Sequence, residues 1–214
     1  MVNVGGSERT LLFPPTLLRG LVARWDFREG PRFDERTGTG LALSSERAST
    51  QPGWHRSEQA FGALKFDGVD DVLRIPASQA GALDVARLGN EVSVAALVRP
   101  ASTETGFIAG MWQEHDDDPR RQYGLFLSLP TYGGDQRVCG HVSADGRPSE
   151  GLPYSRDYAA SGTQIEKGHW LIASFSYDGE AIHAYADGLD EPYPDYVEPN
   201  PPLGQGLRYS KNPY

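Results

Sequence analysis

A single cysteine, Cys139, stands in 214 residues, so no internal disulfide can form and the fold must rest on packing or a metal. Basic residues are also in the minority: 20 Lys and Arg against 29 Asp and Glu leave a formal charge of -9. A phosphate-tracking surface needs clustered Lys and Arg to displace counterions, so nucleic acid is not an expected partner. No apolar run approaches the ~20 residues of a membrane-spanning helix. Residues 1–20 lack the basic start and apolar centre of a signal peptide, so no membrane partner is expected and the compartment stays open. His and Cys spacing offers no zinc motif, and no internal repeat is visible.

Turn formers are abundant instead. The 25 glycines and 16 prolines fall between short apolar runs, as corners between strands would, and this length suits one all-β sandwich with a tail. Residues 1–20 read as an N-terminal arm, barred from helix by Pro14-Pro15; 21–190 read as the domain, and the Pro- and Tyr-rich 191–214 as an extension. Within the domain, Leu21, Ala23, Trp25 and Phe27 alternate on one face of a first strand. Residues 64–76 read as a β-hairpin cornered at Asp67-Gly68. Trp54 is either a lid on a sandwich edge or a sugar-stacking platform. A short helical turn is expected around 83–87, and 92–98 reads as a central strand ended by Pro100.

The second half alternates more clearly. A strand begins at 107–111, and in 122–129 Tyr123, Leu125, Leu127 and Leu129 share one face. In 136–143 the core side is Val138, Gly140 and Val142, which places Arg137, Cys139 and His141 together on the opposite face. Residues 144–165 read as a long loop, functional or mobile, bearing Tyr154, Arg156, Asp157 and Tyr158. A hairpin of 169–177 and 181–186 turns at Asp178-Gly179.

Several of these stretches resemble the LamG-like domains of the concanavalin A-like lectin/glucanase superfamily. They are Leu64-Lys65-Phe66-Asp67-Gly68-Val69-Asp70-Asp71 with Ile75-Pro76, the opening Leu21-Val22 to Trp25-Asp26-Phe27 with Asp34 and Thr37-Gly38, and Tyr177-Asp178-Gly179 followed by Tyr185 and Asp187-Gly188. Residues 92–100 are similar too, with Ala96 where an aromatic is usual. The resemblance implies an antiparallel jelly-roll β-sandwich, with an extracellular or periplasmic leaning. A closing strand usual in the family is missing after residue 190. The expectation is therefore a fragment, a sheet completed by a second chain, or closure by the N-terminal arm, because an unpaired edge is normally covered.

Four kinds of chemistry are open. For non-catalytic carbohydrate binding, a concave sheet face with Trp112, Arg121, Tyr123, Arg137, His141, Tyr154 and Arg156 would supply stacking rings and hydroxyl partners. β-Elimination on a uronate needs a base and a cation beside the carboxylate; Arg137, His141 and Tyr158 are the catalytic candidates, with Arg121, Gln122, Tyr154 and Arg156 also of suitable type. Glycoside hydrolysis needs paired carboxylates, but the run Glu114 to Pro119 has proline where the second Glu belongs. A purely structural or protein-interaction module is the remaining alternative. Relatives in the superfamily hold structural Ca²⁺, and Asp67, Asp70, Asp71 and Asp178 could offer oxygens from tight turns, although Asp-Gly is also what such a turn itself demands.

Overall fold

The computed structural model is all-β. It describes residues 2–4, 7–9, 20–30, 33, 39–45, 53–56, 62–85, 89, 91–114, 119–130, 134–143, 146, 158–179 and 182–188. The chain divides into two compact units, residues 1–83 and 84–214.

In the first unit β1 (Val2–Val4) pairs antiparallel with β2 (Ser7–Arg9), and β3 (Gly53–Arg56) with β4 (Gly62–Lys65). The expected strand over 21–27 is reduced to a single bridge residue, Trp25. Its polar groups are satisfied by scattered bonds instead of a ladder: Trp25 Nε1 donates to Leu41 O (2.8 Å), while Phe27 O accepts from Trp54 Nε1 (2.8 Å) and Arg28 O from the Gly62 amide (3.0 Å). Trp54 is half-buried with its indole lying over Gly62, where a Cβ would collide with the ring. The hairpin expected over 64–76 does not form. β4 pairs backward with β3, and Arg74 makes an isolated bridge to Ser44. The physical reason is Asp67, whose Oδ1 accepts the amides of Val69 (2.8 Å), Asp70 (3.2 Å) and Asp71 (3.2 Å), taking donors that a ladder would need.

Among its described residues the second unit holds two antiparallel sheets. One has the order β11 (Ile182–Ala186), β10 (Leu171–Tyr177), β5 (Val92–Val98). Its strands alternate cleanly: Leu171, Ala173, Phe175 and Tyr177 of β10 are buried, as are Ile182, Ala184 and Ala186 of β11. Ser93, Ala95 and Leu97 of β5 are exposed. The strand expected to be central, β5, has a partner on one side only among the described residues; β10 is the central one.

The second sheet runs β6 (Gly106–Gln113), β7 (Arg120–Leu129), β8 (Gly134–Val142), β9 (Tyr158–Gln164). The long loop expected over 144–165 therefore ends in a strand. The small, polar run Ala159-Ala160-Ser161-Gly162-Thr163 hides it, yet β8 recruits it through the pairs Cys139–Ala160 and His141–Tyr158. The sheets pack face to face at Gly140, where an added Cβ would stand 2.5 Å from Phe175 Cβ, so only glycine admits that ring. On the inner side Leu125, Val138 and Val142 have no exposed surface.

Candidate functional site

The outer face of the four-stranded sheet is where most of the expected site residues gather. Phe107 of β6 meets Phe126 of β7 edge-on (5.2 Å between centroids), Phe126 meets Trp112 (5.3 Å), Trp112 meets His141 (4.6 Å) and His141 meets Tyr158 (5.8 Å). These five rings cross all four strands. Their contacts are all steeply inclined, the arrangement that aromatic quadrupoles favour. Exposure along the row is uneven: Phe107 is 48% exposed and Trp112 half-buried, while Phe126, His141 and Tyr158 are buried.

Arg121 reaches this face through a β-bulge. Met111 pairs with Tyr123 and Trp112 with Arg121, so one step of β6 spans two of β7 and Gln122 is the additional residue. Simple alternation would put Arg121 beside Tyr123 on the inner side. Instead its guanidinium lies 5.6 Å from the Trp112 ring centroid. It is held there by Glu114, whose Oε2 accepts from Arg121 Nε (2.9 Å) and Nη2 (2.6 Å), and whose Oε1 accepts from Trp112 Nε1 (3.3 Å). The Arg121 side chain is 6% exposed and that of Glu114 is 56% exposed.

At the Tyr158 end the polar groups face inward. Cys139, Phe126, Tyr158 and Ala160 form one buried cluster. Tyr158 Oη donates to Leu129 O (3.3 Å) and lies 3.4 Å from Cys139 Sγ. Gly134 is needed where these atoms converge, since a Cβ would overlap Tyr158 Oη and Leu129 O. Burial pushes the Cys139 thiol up to about 11, against the Tyr158 hydrogen bond, which lowers it. His141 is 6% exposed, and its Nδ1 has no hydrogen-bond partner among the described residues. Burial first, and the nearby Arg121 charge second, push its pKa down to about 3.

The three residues expected to serve elimination do not converge. His141 and Tyr158 are register partners, but Arg137 lies four residues away along β8, roughly 13 Å at strand spacing. Its Nη1 donates to Ser161 O (2.9 Å) and to Gly162 O, the carbonyls released where β8 and β9 lose register. Ser161 Oγ completes the repair, accepting from the Val138 amide (3.1 Å) and donating to Thr163 O (2.7 Å). Tyr123 is placed on the inner side with Leu125, 5% exposed, and burial, followed by the Asp84 charge, raises its pKa. Gln122 is fully buried, donating through Nε2 to Asp84 Oδ1 (2.9 Å) and accepting the Val85 amide at Oε1 (3.2 Å). Tyr154, Arg156 and residues 115–118 lie outside the described residues.

In the first unit, the carboxylates of Asp67, Asp70 and Asp71 come within 4.8 Å of one another on the surface. Their described bonds are those of a turn: Asp67 Oδ1 takes three amides, and Asp71 Oδ2 takes the Asp67 amide (2.9 Å). The Val69 amide foremost lowers the Asp67 carboxyl. Asp178, the fourth expected metal ligand, follows β10 in the second unit.

Phe107, Phe126 and Glu114 are members of this site that sequence reasoning did not assign to it. Phe126 was legible as Gly124's and Gln122's companion on the face opposite Leu125, and Glu114 as the acid nearest Trp112. No protein-family model matches the chain, and neither a characterised protein nor a solved structure shows significant similarity to it.

Proposed function

We propose that the chain is a non-catalytic carbohydrate-binding β-sandwich module that takes its ligand at Trp112, the half-buried ring at the middle of the row. The observation that carries this reading is the meeting of Trp112, Glu114 and Arg121: a half-buried indole bordered by an exposed carboxylate and a guanidinium already oriented by it. Sugars present C–H faces that stack on rings and hydroxyls that pair with planar charged groups. The motif resemblance to LamG-like domains supports the same class. Against elimination stand the occupied Arg137, the internal hydrogen bonding of Tyr158 and the desolvated His141. A panel of immobilised polysaccharides tests it: the chain is expected to be retained by at least one, Trp112→Ala to lose retention, and no uronate to gain the ultraviolet absorbance of an unsaturated product. Retention unaffected by Trp112→Ala would sink the placement, and product formation would sink the non-catalytic reading.

A second reading, a protein-interaction module, draws on one observation. Leu97 and Ile172 are register partners on the outer side of the three-stranded sheet, 45% and 41% exposed. It predicts that Leu97→Lys, and not Trp112→Ala, removes the binding activity of the chain.

A further inference from the structure

We infer that the ligand of the Trp112 site is a neutral polysaccharide and that Glu114, rather than an arginine, meets its hydroxyls. This rests on the carbohydrate-binding reading above and narrows its substrate class.

The argument is one of charge and of remaining hydrogen-bond capacity. An acidic glycan needs a guanidinium turned toward solvent, because a carboxylate or sulfate is bound through charge-assisted, preferably bidentate, bonds. Among the described residues, neither arginine of this face is so placed. Arg121 is 5% exposed and gives two donors to the Glu114 carboxylate; Arg137 is 8% exposed and gives Nη1 to the carbonyls of Ser161 and Gly162. What solvent meets is Glu114, with 56% of its side chain exposed. An ionised carboxylate has about four acceptor positions. Arg121 occupies two on Oε2 and Trp112 one on Oε1, which leaves a position on Oε1 beside the indole for a hydroxyl donor. A polyanion would meet this carboxylate head-on, in a chain that already carries a formal charge of -9. A neutral sugar ring lying on Trp112 would instead donate a hydroxyl to it.

The test uses the full chain with soluble neutral glucan, mannan and xylan in one arm and polygalacturonate in the other, by calorimetry at low and high salt. The expected result is binding to a neutral polymer that is indifferent to salt, none to polygalacturonate, and a loss of about tenfold in affinity in Glu114→Gln, the size of one charge-assisted bond. Glu114→Gln is nearly isosteric, and its urea midpoint beside that of the parent controls for folding. Tighter binding of polygalacturonate, weakening with salt, would overturn this inference while leaving a carbohydrate module standing. Unchanged neutral affinity in Glu114→Gln would overturn it too. Binding of no polymer in either arm would remove the proposed function and this inference together.

Discussion

The inner face of the four-stranded sheet is lined by Leu125, Val138 and Val142, while its outer face carries Phe126, Cys139, His141 and Tyr158, buried nearly as deeply. These three aliphatic side chains make no bonding demands, so they answer only to shape and volume. The outer ones bring a thiol, a phenol and an imidazole into aromatic surroundings, where each polar atom must find a partner or cost stability. The thiol and the phenol have one, whereas the imidazole Nδ1 has none among the described residues. The comparison teaches that equal burial conceals two kinds of vulnerability, one to lost volume and one to protons.

The largest expected effect is on the inner side. Phe175 is 1% exposed against Gly140, and Phe175→Ala is expected to cost about 4 kcal/mol in urea unfolding; a cost below that of an exposed-site control such as Leu97→Ser would show that the two sheets do not share this core. Next comes His141. Its folded pKa of about 3 lies below the unfolded value near 6.5, so between these values the unfolded chain binds a proton that the folded chain excludes. Stability is therefore full above about pH 6.5 and falls by about 1.4 kcal/mol per unit as pH drops toward 3. Urea midpoints at a series of pH values down to about 4.5 stay clear of Asp26, which its hydrogen bond to Arg28 holds at about 2. His141→Phe should flatten the slope; an equal slope in the variant would assign it elsewhere. The smallest effect belongs to Cys139. Its raised thiol pKa predicts no reaction with a thiol reagent near neutrality until the chain unfolds, and Cys139→Ala should cost about 1 kcal/mol. Rapid labelling of the native protein would show that the outer face is open at that point.

The same comparison explains what was legible in the sequence. β5, β10 and β11 each keep one row more exposed than the other, so their apolar period of two marks the core side correctly. In β7 the residues from Arg121 to Ser128 are all buried, and alternation there separates two kinds of interior instead of inside from outside. That is why Arg137, Cys139 and His141 share the expected face without being exposed on it. Arg121 is expected beside Trp112 by residue type, but its route there is not legible: the bulge at Gln122 changes its side, and no residue type announces a bulge in this position. The 64–76 hairpin failed because periodicity counts side chains and ignores that Asp67 can capture three amides. β9 was missed because small residues give little strand signal; its register break is supported by Ser161 and by Arg137 from the neighbouring strand.

Gln122 bears on how the chain assembles. Its amide is sealed from solvent and relies on Asp84 and Val85, 38 and 37 positions earlier. β7 cannot close over that amide before the distant segment arrives, so an entropic loop of this size must be closed early or together with the strand. Such non-local closure slows folding, and Gln122→Leu, which no longer waits for a tether, would let the sheet collapse before its connection is in place.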